Sequence, residues 1–228
     1  MRDAIPIALG YLAVAFTLGI AARNAGVYAL PATIMSLTNT TSAGEFAAIT
    51  AIAGGVGYAE LALMQLVINL RYMLMSCALT QKLDPKFSII HRFFIGFGVT
   101  DEIFGISVAR KGKLNPCYMY GAMSIAIPAW TIGTCLGVVL GNVLPGGVVS
   151  ALSVALYGMF LAIIIPPARD NKVIRGLVII AMAASFLFTK IPVIKNISSG
   201  MKVIILTVVI SGVAAVLFPL PDLSLIHI

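Results

Sequence analysis

The sequence predicts an all-α fold, that of a polytopic helical membrane protein, and three observations predict it. Of 228 residues, 60% are hydrophobic and only 10% charged, where a soluble domain carries charge on about a quarter of its positions. Mean hydropathy is +1.06. Apolar runs recur along the chain at about the length that a helix rising about 1.5 Å per residue needs to cross a bilayer. So few charges cannot clothe a water-facing surface, and lipid must be the solvent for most of the chain.

About six full spans are expected: Ala4–Ala22, Tyr58–Leu79, Pro116–Leu140, Val148–Pro166, Val173–Phe188 and Met201–Phe218. The first has no basic leader beyond Arg2 and no small-residue cleavage site, so it reads as a retained helix, not a signal peptide. Two stretches resist this scheme. Residues 26–57 run apolar to Leu37, then polar through Thr38-Asn-Thr-Thr-Ser-Ala-Gly44, then apolar again from Glu45 to Val56. Residues 87–109 repeat the plan, with Gly98-Val-Thr-Asp-Glu102 between Phe87–Phe97 and Ile103–Ala109. Each half is too short to cross alone. Two short helices meeting at a polar tip describe a re-entrant hairpin or a broken helix, which membranes tolerate only inside protein or beside a water-filled cavity.

Charge sets the orientation. The net charge is +7, and the basic residues cluster as Lys82/Lys86/Arg92, Arg110/Lys111/Lys113, Arg169/Lys172/Arg175 and Lys190/Lys195/Lys202, whereas residues 142–147 carry none. The positive-inside rule then puts 80–92, 110–113 and 169–175 in the cytoplasm and 142–147 outside, and, if 26–57 is also a hairpin, the N-terminus inside. It requires 87–109 to enter and return. Arg23, Lys190 and Lys195 are exceptions. The same clustering makes a nucleic-acid partner unnecessary. Residues 1–222 form one transmembrane domain. A helix followed by a hairpin in 4–57 and again in 58–110 gives the plan of inverted units, a recurring transporter design, followed by helices over 116–218. Two ordinary kinked helices are the alternative. Leu223-Ser-Leu-Ile-His-Ile228 reads as the translated end of a sequencing-library transposon, so His227 is given no role.

Chemistry concentrates at the two polar tips. An acid in a helix's first turn can cap it, but a charge at membrane depth costs on the order of 2.5–3.5 kcal/mol. Glu45, after Gly44, is therefore either a cap or a proton- or ammonium-binding carboxylate. Asp101 and Glu102, which follow Thr100, are adjacent and point about 100° apart on a helix; one of them offers a cap and the other a cavity-facing group or a cation partner, or the two form a carboxylate pair that shares a proton. Asn69 and Arg71 lie in the Tyr58–Leu79 span. Arg71 is far from the helix end for snorkelling, so it is expected to neutralise Asp101 or Glu102 or to hold a substrate carboxylate. Asn39, Thr41 and Ser42 offer polar groups that could either bind a zwitterion or cap the half-helices. Gly54-Gly-Val-Gly57 and the Gly133/Gly137/Gly141 stripe read as close helix packing, the stripe with an alternative as a subunit dock. Pro128 reads as a kink. Cys77, Cys117 and Cys135 lie in apolar runs and read as free thiols. No metal spacing, Walker loop or HExxH motif points to an enzyme or a cofactor.

Ser36-Leu-Thr-Asn39, Ala43-Gly-Glu-Phe46, Asn69-Leu-Arg-Tyr72 and Thr100-Asp-Glu102 together resemble the AzlC/YgaZ family of branched-chain amino acid exporters, from the N-terminus to about Pro221. The resemblance implies export of leucine, isoleucine, valine and related apolar amino acids such as methionine. It also implies a small hydrophobic AzlD/YgaH-like companion subunit and a multi-pass location in the bacterial inner membrane. Many family members have Gln in place of Glu45, a departure that bears on substrate and ion coupling. With no ATP-binding motif, the expected energy source is the proton gradient. A non-transporting scaffold or regulatory subunit and a passive channel are the alternatives.

Overall fold

The computed structural model describes residues 2–84, 86–110, 112–141, 143–190 and 199–218, so Lys195 and the suspect residues 223–228 lie outside the described residues. The chain is an all-α membrane protein. After a single 3-10 turn, Arg2–Ala4, come α1 (Ile5–Asn24), α2 (Ala29–Thr38), α3 (Ser42–Ala53), α4 (Tyr58–Lys82) and α5 (Ile89–Phe97). They are followed by α6 (Asp101–Val108), α7 (Pro116–Leu140), α8 (Gly146–Asp170), α9 (Lys172–Lys190) and α10 (Ser199–Leu217). Among the described residues, three stretches are long and apolar enough to cross a membrane by themselves: Arg2–Asn24, Tyr58–Lys82 and Pro116–Leu140. Helices α8, α9 and α10 occupy the other three expected spans.

Local chemistry sets the ends. The Asn115 side chain accepts from the Cys117 N–H at 2.9 Å and Pro116 occupies the first turn, where its missing N–H costs nothing, so α7 begins there. The side chains of Ser88 and Thr100 cap α5 and α6 in the same way. Gly26, at φ +82°, turns the chain out of α1. Two boundaries differ from expectation. Helix α8 continues past Pro166 and Pro167 to Asp170, and the Asn171 N–H still bonds the Pro167 carbonyl at 3.0 Å. Helix α4 runs on to Lys82, whose ammonium donates to the Val108 carbonyl and whose carbonyl accepts from the Leu114 N–H.

The chain divides into two compact units, 1–50 with 68–156, and 51–67 with 157–228. In the first, α1 and α7 form the core. Ala8, Tyr11, Ala15, Leu18 and Ala22 are buried on α1, and Met119, Ala122, Ala126, Trp130, Gly133 and Gly137 on α7, each set at steps of three and four residues. Glycines let the backbones touch. A Cβ on Gly137 would stand 2.0 Å from the Phe16 carbonyl oxygen, one on Gly19 2.2 Å from that of Thr134, and one on Gly133 2.7 Å from that of Leu12. The Gly133/Gly137/Gly141 stripe is thus filled by α1, which corrects its alternative as a subunit dock. By contrast, a Cβ on Gly55 or Gly57 would meet nothing within 4 Å, and Gly55 has φ +64°. This segment serves as the turn between α3 and α4, and the expectation of close packing there is corrected.

Pairing runs in register along α1 and α7, which are therefore parallel. Asp3 accepts from the Tyr118 hydroxyl at 2.8 Å at one end, and Arg23 donates to the Val138 carbonyl at 2.6 Å at the other. The Asp3 end also gathers the hairpin of α5 and α6. His91 Nδ1 lies 2.7 Å from the Tyr120 hydroxyl near the start of α5. The Gly98 backbone meets the Met123 side chain at the turn, and Ser107 bonds Met119 on the way back. The Lys82 ammonium donates to the Val108 carbonyl, and the Leu114 N–H to the Lys82 carbonyl at 2.9 Å. Residues 89–108 therefore enter and return to one end, the re-entrant form that the basic clusters require. In the second unit α9 packs on α10, and Glu60 accepts from the Met201 N–H at 2.9 Å.

Candidate functional site

The polar groups of the first unit meet halfway along α1 and α7, where both short-helix pairs break. Helix α2 ends at Thr38, whose hydroxyl turns back to the Ile34 carbonyl at 2.8 Å, and α3 opens at Ser42. Glu45 sits in the first turn of α3 and is 0% exposed. Its carboxylate is held from two other helices. Trp130 Nε1 of α7 donates to Oε2 at 2.7 Å, and Ser36 of α2 bonds Oε1. Ser36 also lies 2.7 Å from the Thr134 hydroxyl. A carboxylate in a dry interior needs such donors, since unmet hydrogen-bonding capacity costs about 1–3 kcal/mol and more for a charge. Among the described residues the ion pairs are Arg71–Asp101 and Arg110–Asp3, so the polar partners seen at Glu45 are all neutral.

The second centre lies at the α5–α6 break. The Thr100 hydroxyl accepts from the Ile103 N–H at 3.3 Å and so caps α6, a role the sequence left open between Asp101 and Glu102. That frees both acids for other partners. Asp101 meets Arg71 of α4 at 2.8 Å, and Arg71 also donates to the Tyr72 hydroxyl at 2.9 Å. Glu102 takes the other direction, with Oε2 2.5 Å from the Tyr11 hydroxyl. The same hydroxyl is 2.6 Å from Thr100 Oγ1.

The two centres are joined by aromatic rings. Tyr11 and Trp130 pack edge to face with centroids 5.2 Å apart and planes at 76°. A continuous path thus runs from Thr134 through Ser36, Glu45, Trp130 and Tyr11 to Glu102 and Thr100, with Asp101, Arg71 and Tyr72 beside it. Of the residues expected from sequence, Glu45 is in one centre and Arg71, Thr100, Asp101 and Glu102 are in the other. Asn39 and Thr41 are half-buried and bond each other at 2.8 Å in the break between α2 and α3. Ser42 starts α3, Gly44 is buried before Glu45, and Asn69 lies half-buried on α4.

Sequence reasoning missed Tyr11, Ser36, Trp130 and Thr134 as members of this path. One signal was available for Trp130. It is the chain's single tryptophan and stands in the middle of a 25-residue helix, whereas tryptophans of membrane helices gather at the interfaces. Cavities open at the two ends of the α1–α7 pair. One of about 440 Å³ is lined by Arg23, Tyr28 and Val138, and one of about 520 Å³ by Asp3, Arg110 and Tyr118.

Two broken helices inside an all-α membrane protein, one carrying a buried acid and the other two partly exposed acids, are the plan of a transport-related membrane protein. The AzlC protein family model matches residues 6–144, more than half of the chain. The chain belongs to the AzlC family. It is 33% identical over 170 residues to an uncharacterized membrane protein of Archaeoglobus fulgidus, covering 74% of each chain. It is 25% identical over 201 residues to the inner membrane protein YgaZ of Escherichia coli K12, covering 84% of this chain and 82% of that one. No solved structure matches it.

Proposed function

We propose that this chain is a secondary exporter of branched-chain and related apolar amino acids across a bacterial inner membrane. It is coupled to protons and works with a small hydrophobic partner subunit of the AzlD/YgaH type. The observation that carries the reading is Glu45, an acid fully buried at a helix break and held by neutral donors. Such a carboxylate can gain and lose a proton with little movement, because Ser36 can donate to it when it is ionised and accept from it when it is protonated. The second centre offers complementary charges, with Arg71 suited to a substrate carboxylate and Asp101 to its ammonium once their ion pair opens. Apolar faces of the surrounding helices would take the aliphatic side chain.

The test is release of isotope-labelled leucine, valine and methionine from loaded cells that express the chain together with its companion. Faster release than from control cells, lost in Glu45→Gln and Asp101→Asn at equal membrane abundance, is expected. Unchanged retention at confirmed expression would remove the substrate assignment. Release that ignores the proton gradient would point to a passive channel. Unaltered assembly and activity in both variants would favour a non-transporting scaffold.

A further inference from the structure

We infer that Tyr11 and Trp130 are positioning residues that couple the protonation of Glu45 to Glu102, the acid beside Asp101, so that the two helix breaks change state together. The inference rests on the proton-exchange part of the reading above and extends it to the link between the centres. Each end of the link has a fixed chemical sense. The Trp130 indole has one N–H and no acceptor, so it serves Glu45 Oε2 only as a donor. The Tyr11 hydroxyl has one proton and two neighbours, Glu102 at 2.5 Å and Thr100 at 2.6 Å. When Glu102 is ionised, the phenol proton points to it, and the Thr100 hydroxyl donates to the phenol oxygen. When Glu102 is protonated, its O–H can donate to that oxygen, and the phenol proton turns to Thr100. At Glu45 the matching exchange forms an O–H bond at Oε1, and the Ser36 proton turns to Thr134, 2.7 Å away.

The rings make these two exchanges one mechanical unit. Both are buried in the α1–α7 core and meet at 5.2 Å, edge to face. In a core packed this closely, a shift of one ring displaces the other. The titratable or charged groups that face the path are Tyr11 from α1, Glu45 from α3, Arg71 and Tyr72 from α4, and Asp101 and Glu102 from α6. Helices α2 and α7 contribute Ser36, Thr134 and Trp130, which do not titrate.

Because Trp130 is the only tryptophan, the intrinsic fluorescence of the purified full chain in detergent micelles reads this point directly. A titration across roughly pH 5 to pH 8 is expected to give one step in emission, absent in Glu45→Gln. In the parent, Glu102→Gln should move that midpoint by about half a pH unit or more. In Tyr11→Phe, which keeps the ring and removes the hydroxyl, Glu102→Gln should no longer move it. An equal movement with and without the Tyr11 hydroxyl would overturn the inference, as would no movement in either, or no step in the parent. Carboxyl infrared difference spectra of Glu45→Gln give a second reading without any Tyr11 variant: the Glu102 band should shift, and an unshifted band would overturn the coupling. No substrate enters these measurements, so they can fail while export succeeds, or succeed while the export assay fails.

Discussion

At the scale of single residues, the acids differ in whether they have a charged partner. Asp101 has one in Arg71, and both side chains are only partly exposed, at 18% and 35%. A double-mutant cycle on Arg71→Gln and Asp101→Asn, read by thermal unfolding in detergent, should give a coupling of about 1–3 kcal/mol, between that of an exposed and that of a buried pair. A coupling near zero would separate the two residues in function. The sequence carried this pair well, since an arginine so far inside a span needs a partner and the acids at the second tip were candidates. It carried the surroundings of Glu45 poorly. Ser36, Thr134 and Tyr11 are residue types at home in any membrane helix, and apart from the Ser36–Glu45 bond, nine positions apart across the α2–α3 break, the contacts that give them and Trp130 their roles span 85 to 98 positions of chain. Pattern within one helix holds no trace of such contacts.

At the scale of elements, close approach of α1 and α7 holds the acidic centres in place. Gly137→Ala should destabilise the protein by about 1–3 kcal/mol, because the added Cβ meets backbone that cannot swing aside. Gly10→Ala, on the same α1 but with nothing within 4 Å, should be neutral or should stabilise by up to about 1 kcal/mol through helix propensity. Thermal unfolding of the pair decides this, and equal losses would contradict the packing. Thr100→Ala removes the α6 cap and one neighbour of Tyr11, and should cost about 1 kcal/mol. Breaks in the apolar pattern marked both short-helix pairs correctly, since the polar runs at 38–44 and 98–102 were too long to be chance. The spacing of Gly133, Gly137 and Gly141 marked a contact face, yet only the fold shows that α1 fills it. Gly54–Gly57 misled because glycine serves turns and close packing alike.

At the scale of the molecule, the re-entrant course of residues 89–108 is the feature that orders the first unit. It puts the segments before α5 and after α6 on one side, with the Asp3 end of α1. In a chain freed of Cys77, Cys117 and Cys135, cysteines placed at Asp84 and Lys113 should react with an impermeant maleimide from the same side of the membrane. One placed at Asn24 should react from the other. Labelling of 84 and 113 from opposite sides would mean that the segment crosses. Composition alone made the membrane class readable, and basic clusters made this course readable. The division of the chain into two compact units left no mark in the sequence, because its limits at 50, 67 and 156 fall inside helices where hydropathy does not change.

Proton-coupled export is tested most directly by leucine flux in vesicles reconstituted with the purified chain and its companion, with and without an imposed proton gradient. Flux that the gradient drives, and that Glu45→Gln removes while the protein stays folded in the membrane, is expected. Gradient-driven flux that persists undiminished in Glu45→Gln would contradict that expectation.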